Sequence, residues 1–85
     1  NARTLSKEVS RLEKELQAAE DRVAGLERQL TELEAILAGP PAEADLMRLT
    51  SRHGELQDEI AAALAYWEQV GLELERLRSM QGGAR

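Results

Sequence analysis

Apolar residues recur through the first half of the chain at Leu5, Val9, Leu12, Leu16, Ala19, Val23, Leu26, Leu30, Leu33 and Leu37, in steps that alternate four and three. That spacing is the a/d seam of a coiled coil, sustained for over four heptads. A second unbroken series runs through Leu46, Leu49, His53, Leu56, Ile60, Ala63, Trp67, Val70, Leu74 and Leu77. Two seams imply two helices. Between them lies "AGPPAEAD", residues 38–45, where Gly39 suits a left-handed cap and Pro40 and Pro41 cannot continue a helix. Asp45 is a candidate N-cap for the second helix. The pattern predicts an all-α chain, a two-helix antiparallel coiled-coil hairpin forming one domain over residues 1–85. Helix 1 is expected at about 3–38, the turn at 39–45, helix 2 at about 46–80 and a flexible tail at 81–85, where "GGAR" lacks both period and helix formers.

The heptads allow two registers. With the loop spanning Gly39 to Asp45, Ala19 faces Trp67, Val23 faces Ala63 and Leu26 faces Ile60; with a turn centred on Gly39 and Pro40, Trp67 meets Leu12 instead. The first is favoured because it sets a small residue against the largest one, as a seam filled to native density requires. Gly25, Gly54 and Gly71 fall inside the tracts but off the seam, so each lowers helix stability by about 1 kcal/mol without breaking the pattern.

Composition fits this outline. In 85 residues, 32% of them charged, only a modest core can form, and the abundance of Ala, Glu, Leu and Arg is that of long helices. The chain has no cysteine, hence no disulfide framework and no thiolate metal site. No apolar run approaches the roughly 18 to 20 residues of a membrane span, and the N-terminus lacks the basic-then-apolar pattern of a signal peptide. A soluble, cytoplasmic chain without a membrane partner is expected, and its start at Asn1 suggests a domain of something larger.

The net charge of −5 disfavours strong autonomous binding to phosphate backbones, but the charge is unevenly placed. Residues 23–64, around the turn, hold three basic and eight acidic side chains, whereas 1–22 hold five of each and 65–85 three of each. The end where the termini meet is therefore neutral. There Arg3, Lys7, Arg11 and Lys14 recur at spacings of four, four and three on the outer face of the first helix. They read either as a stripe that tracks a phosphate backbone or, more commonly, as a solvated face with pairs such as Arg11 and Glu15.

Catalytic chemistry finds no foothold. The chain lacks a phosphate-binding GxxxxGK[ST] or GxGxxG loop, an HExxH pair, an EF-hand loop and a GxSxG elbow. His53, the single histidine, falls on the seam and reads as a partly exposed core residue whose protonation at mildly acidic pH could weaken the tip. Tyr66 and Trp67 are the only aromatics. Trp67 takes an a position and is expected to be a buried knob filling the space beside Ala19, with its indole N–H reaching the edge for a partner. Tyr66 takes a half-exposed g position and covers the flank. A base-stacking platform needs exposed faces beside basic residues, which this pair lacks.

The arm "EVSRLEKELQAAEDRVAGLERQLTELEAILA", the proline break and the arm "LMRLTSRHGELQDEIAAALAYWEQVGLELERL", with Trp67, Glu68, Val70, Glu73 and Leu74 at fixed distances from the break, together resemble the C-terminal coiled-coil domain of ABC-F ATPases of the Uup-like group. The resemblance implies a non-catalytic accessory hairpin in a parent chain that hydrolyses ATP with Mg, the segment itself holding no cofactor. It also implies contact with nucleic acid, either DNA or the RNA of the ribosome in translation, with the ATPase domains of the same chain as a further partner and the hairpin itself monomeric. The acidic tip moves the implied contact to Arg3, Lys7, Arg11 and Lys14, joined by Arg76 and Arg78 on the second helix. A second resemblance, to the C-terminal arm of valyl-tRNA synthetases, implies tRNA as partner. A structural spacer or helix-interaction module is the third reading.

Overall fold

The computed structural model describes residues 1–39 and 41–83, in two helices, α1 (Ala2–Ala38) and α2 (Glu43–Gly83). They pack against each other as an antiparallel hairpin measuring 64 × 15 × 14 Å, the length that about 40 residues reach at a rise of about 1.5 Å each. The expected all-α, two-helix architecture is present.

Local chemistry sets the helix ends, and not always as the sequence suggests. Asn1 caps α1, its Oδ1 accepting from the Thr4 N–H at 3.0 Å. At the other end Gly39 is not left-handed: it is extended, with φ −81° and ψ 163°, and its N–H donates to the Ile36 carbonyl at 3.2 Å. The residue before a proline is pushed to extended backbone by the ring, and here Pro40 overrides the glycine's freedom. Nor is Asp45 the cap of α2. The helix starts at Glu43, with the Ala42 carbonyl accepting from the Leu46 N–H at 2.8 Å. Pro41 favours this earlier start because its missing N–H costs nothing just ahead of a helix. Glu43 and Asp45 then occupy the first turn, where the helix dipole favours carboxylates. At the far end, the helix runs through Gly82 to Gly83, beyond the expected limit at residue 80. Glycine weakens a helix but does not stop one that is already propagating. Of the expected flexible tail, residues 84–85 lie outside the described residues.

The seam is buried unevenly. On α1, Leu12, Ala19, Leu26 and Leu33 form a buried column at heptad spacing, and on α2 Leu56, Ala63, Val70 and Leu77 form its counterpart. The second column of each helix is only half-buried along the middle, at Leu16, Val23, Leu30 and Leu37 and at His53 and Ile60. Two helices can enclose a single line between them, so the alternate positions lie at its edge. Near the open end both columns close: Val9, Leu12, Val70, Leu74 and Leu77 form one cluster, with Leu5 and Leu16 against it. A second cluster of Leu26, Leu33, Leu56 and Ala63 extends toward the turn.

Between these clusters lies the layer of Ala19 and Trp67, which belong to neither. Trp67 Nε1 donates to Glu20 at 3.2 Å, and a methyl added at Gly71 would meet Leu16 at 3.8 Å. Those contacts fix the register that pairs Ala19 with Trp67, and Leu12 packs with Leu74 instead. The expected burial of the ring does not occur: Trp67 is 39% exposed while Ala19 is 5% exposed. An indole is too broad for a layer whose neighbours are Leu, Val and Ala, so the ring turns out to the edge, where its N–H finds the partner expected of it.

Two substitutions test this packing by urea denaturation followed by circular dichroism. Leu74, 1% exposed, is expected on replacement by Ala to lose about 2–4 kcal/mol. Gly54→Ala adds a methyl where nothing lies within 4 Å and is expected to gain about 1 kcal/mol.

Candidate functional site

The six cations singled out in the sequence all lie exposed at the open end, Arg3, Lys7, Arg11 and Lys14 on the first third of α1 and Arg76 and Arg78 on the last turns of α2. The structure divides them into two groups. Arg11 is held on both sides, by Glu8 at 2.7 Å and by Glu15 at 2.7 Å. Arg76 binds Glu73 through two nitrogens and places a third near the Met80 sulfur. Arg78 reaches across the hairpin to Glu13 at 2.7 Å. Arg3, Lys7 and Lys14 make no ion pair among the described residues. Unlike the paired arginines, they offer their full charge to an incoming anion.

The first two pairs also leave a mark on titration. The Arg11 guanidinium, mainly by its hydrogen bond and then by its charge, holds the Glu8 carboxyl below the usual carboxylate range. The hydrogen bond from Arg76 does the same for Glu73. Both guanidiniums are in turn raised by these partners. Glu73 acts weakly in the opposite direction on Glu8, since the two carboxylates approach each other across the helices. Each arginine therefore neutralises a like-charge contact that the heptad would otherwise place on this flank.

Sequence spacing revealed the Arg11–Glu15 pair. It missed the Glu8 side of that clamp and the Arg78–Glu13 bridge, although the bridge follows once the register sets these two e positions opposite one another. The expected Tyr66 exposure is found: the ring is 51% exposed, with its hydroxyl 3.5 Å from a Glu15 oxygen. Toward the tip, His53 is half-buried with Nε2 within hydrogen-bonding distance of Glu34, at 3.1 Å. Arg52 bridges to Glu55 and Glu59 and touches Gln29 of α1. Among the described residues no group of side chains could hold a metal ion, and no helix is long and apolar enough to cross a membrane.

The open-end pairs give a pH test. A carboxylate depressed in the folded state stabilises fully above its unfolded pKa of about 4.3 and loses that contribution as pH falls through the lower folded value. Thermal melts of the wild type and of Glu8→Gln/Glu73→Gln are therefore expected to differ at pH 7 and to converge below about pH 4. A difference unchanged by acid would show that the two carboxylates act by packing and not by charge.

Comparison with known proteins covers most of this hairpin. The family model described as the ABC transporter C-terminal domain matches residues 3–71, the whole of the break and the seam through Trp67 and Val70. No curated protein and no solved structure matches the chain. The matched span takes in nearly all of α1, the break and α2 as far as Gly71, and favours the first resemblance over the tRNA synthetase arm. By that match over most of its length, the chain belongs to the ABC transporter C-terminal domain family, an accessory domain of ABC proteins.

Proposed function

We propose that this domain is a nucleic-acid-contacting appendage of an ABC-F type ATPase, working through the outer face of its open end. One observation carries the reading. Arg3, Lys7 and Lys14 lie on one helix face, free of carboxylate partners among the described residues, at the end of the hairpin where the net charge is zero. From Arg3 to Lys14 the stripe is about 16 Å long, a distance over which one DNA strand presents about five phosphates. The paired Arg11, Arg76 and Arg78 contribute less, because a phosphate must first displace a bound carboxylate. The acidic tip repels the same backbone and so orients the hairpin, open end toward the nucleic acid.

In this reading ATP and Mg belong to catalytic domains elsewhere in the parent chain, which are themselves a second partner of the hairpin. The preferred target is duplex or branched DNA, or the RNA of a cytoplasmic ribosome. Either uses the same phosphate chemistry, and the cations named here do not distinguish them.

Salt dependence tests the reading and its count of contacts. Three freed cations give a slope of about −3 in a plot of log affinity against log salt on duplex DNA, whereas six would give a slope steeper than −5. Electrophoretic shifts at low salt with duplex DNA, branched DNA and RNA are expected to show weak binding with the shallower slope. Lys7→Glu/Lys14→Glu is expected to weaken it at least tenfold, roughly the effect of 1.4 kcal/mol. If no nucleic acid shifts, or the variant binds unchanged, the hairpin is a structural or protein-interaction module instead.

A further inference from the structure

The ring of Trp67 forms one wall of a shallow groove of about 230 Å³ on the side of the hairpin, halfway along it. Val23, Ala24 and Leu64 give it an apolar lining, and Glu20 and Glu27 line it as well. Leu64 is 43% exposed and Trp67 39% exposed, so two large apolar side chains face solvent side by side. The groove lies where the apolar core is interrupted. It is smaller than the roughly 300 Å³ at which pockets begin to hold small-molecule ligands, yet it accommodates side chains of a protein.

We infer that this groove docks a basic, apolar peptide segment of a protein partner, which sets one aliphatic side chain against Trp67 and Leu64 and Lys or Arg side chains against Glu20 and Glu27. The chemistry of the lining selects this occupant. A tryptophan face flanked by carboxylates suits a guanidinium or ammonium twice over, by the ring quadrupole and by ion pairing. A nucleic acid is disfavoured, since no cation lines the groove and two carboxylates do. A second copy of this chain would bring the same glutamates to face one another, in a molecule that already carries −5. The groove on the opposite flank, lined by Ala19, Arg22, Glu59, Ala62, Ala63 and Tyr66, carries charges of both signs and lacks this selectivity. Trp67 already has its N–H fixed by Glu20, so the ring is held in place before a partner arrives. Pre-organisation of an aromatic anchor is what makes such a residue contribute strongly to binding.

Trp67 is the single tryptophan, so its own emission reports on the site. The probes are a synthetic amphipathic peptide of Leu and Lys and a Gly and Lys peptide of equal length and charge, titrated into the 85-residue chain at moderate salt. The Leu and Lys peptide is expected to shift the emission to shorter wavelength with saturation, and the Gly and Lys peptide to leave it in place. Glu20→Lys/Glu27→Lys, at exposed positions, is expected to keep the helical circular dichroism and to lower affinity about tenfold, while Glu43→Gln/Asp45→Asn at the tip leaves it unchanged. No shift, an equal shift with the peptide lacking Leu, or undiminished binding by the Glu20/Glu27 variant would overturn the proposal. So would a duplex DNA that produces the same shift and competes with the peptide.

Discussion

The hairpin depends on one constraint: along most of their length, two helices alone enclose a single continuous line of side chains. Leu12, Ala19, Leu26 and Leu33 on one side and Leu56, Ala63, Val70 and Leu77 on the other occupy that line. Every other seam residue is shared with solvent to some degree, apart from the open end, where Val9 and Leu74 close a full layer. The narrow core explains why the surface chemistry is so regular. Heptad positions next to the line are fixed in pairs across the helices, and the charged residues there meet the same partners in turn.

That regularity is also what sorts the cations. Arg11, Arg76 and Arg78 lie where acidic side chains are one turn away or directly across, and they are drawn into pairs with Glu8, Glu15, Glu73 and Glu13. Surface pairs of this sort add little to stability individually. Their larger effect is on availability, since a bound guanidinium is a poorer ligand for phosphate than a solvated lysine. Among the described residues Arg3, Lys7 and Lys14 stay unpaired, and the outer face of α1 offers them no acidic neighbour at the right spacing.

The two helices, their antiparallel packing and the pairing of Ala19 with Trp67 were legible in the sequence because a heptad repeat and a proline break are strong, local signals. What was not legible came from competition between local rules. At Gly39 the residue's own freedom points to a left-handed cap, but the steric demand of the following proline prevails and the backbone is extended. Residue type suits Asp45 to a cap, but the helix starts at Glu43 and Asp45 lies in the first turn, where the helix dipole favours its carboxylate. The heptad letter of Trp67 is that of a core residue, but the letter carries no information on width, and the ring lies at the flank. The candidate cations lie exposed at the open end of the hairpin, and which of them are paired depends on rotamers and on the cross-helix register, neither of which a sequence displays.

The interruption at Ala19 and Trp67 also bears on how the rod moves. Cooperative opening spreads through contiguous apolar contacts, and here the contacts fall into two separate groups along the axis. The segment near the turn and the segment near the termini can therefore fray, bend and exchange their amide protons with different free energies, with the indole layer as the boundary. A rod divided in this way can be held firmly at one end while the other adapts its angle.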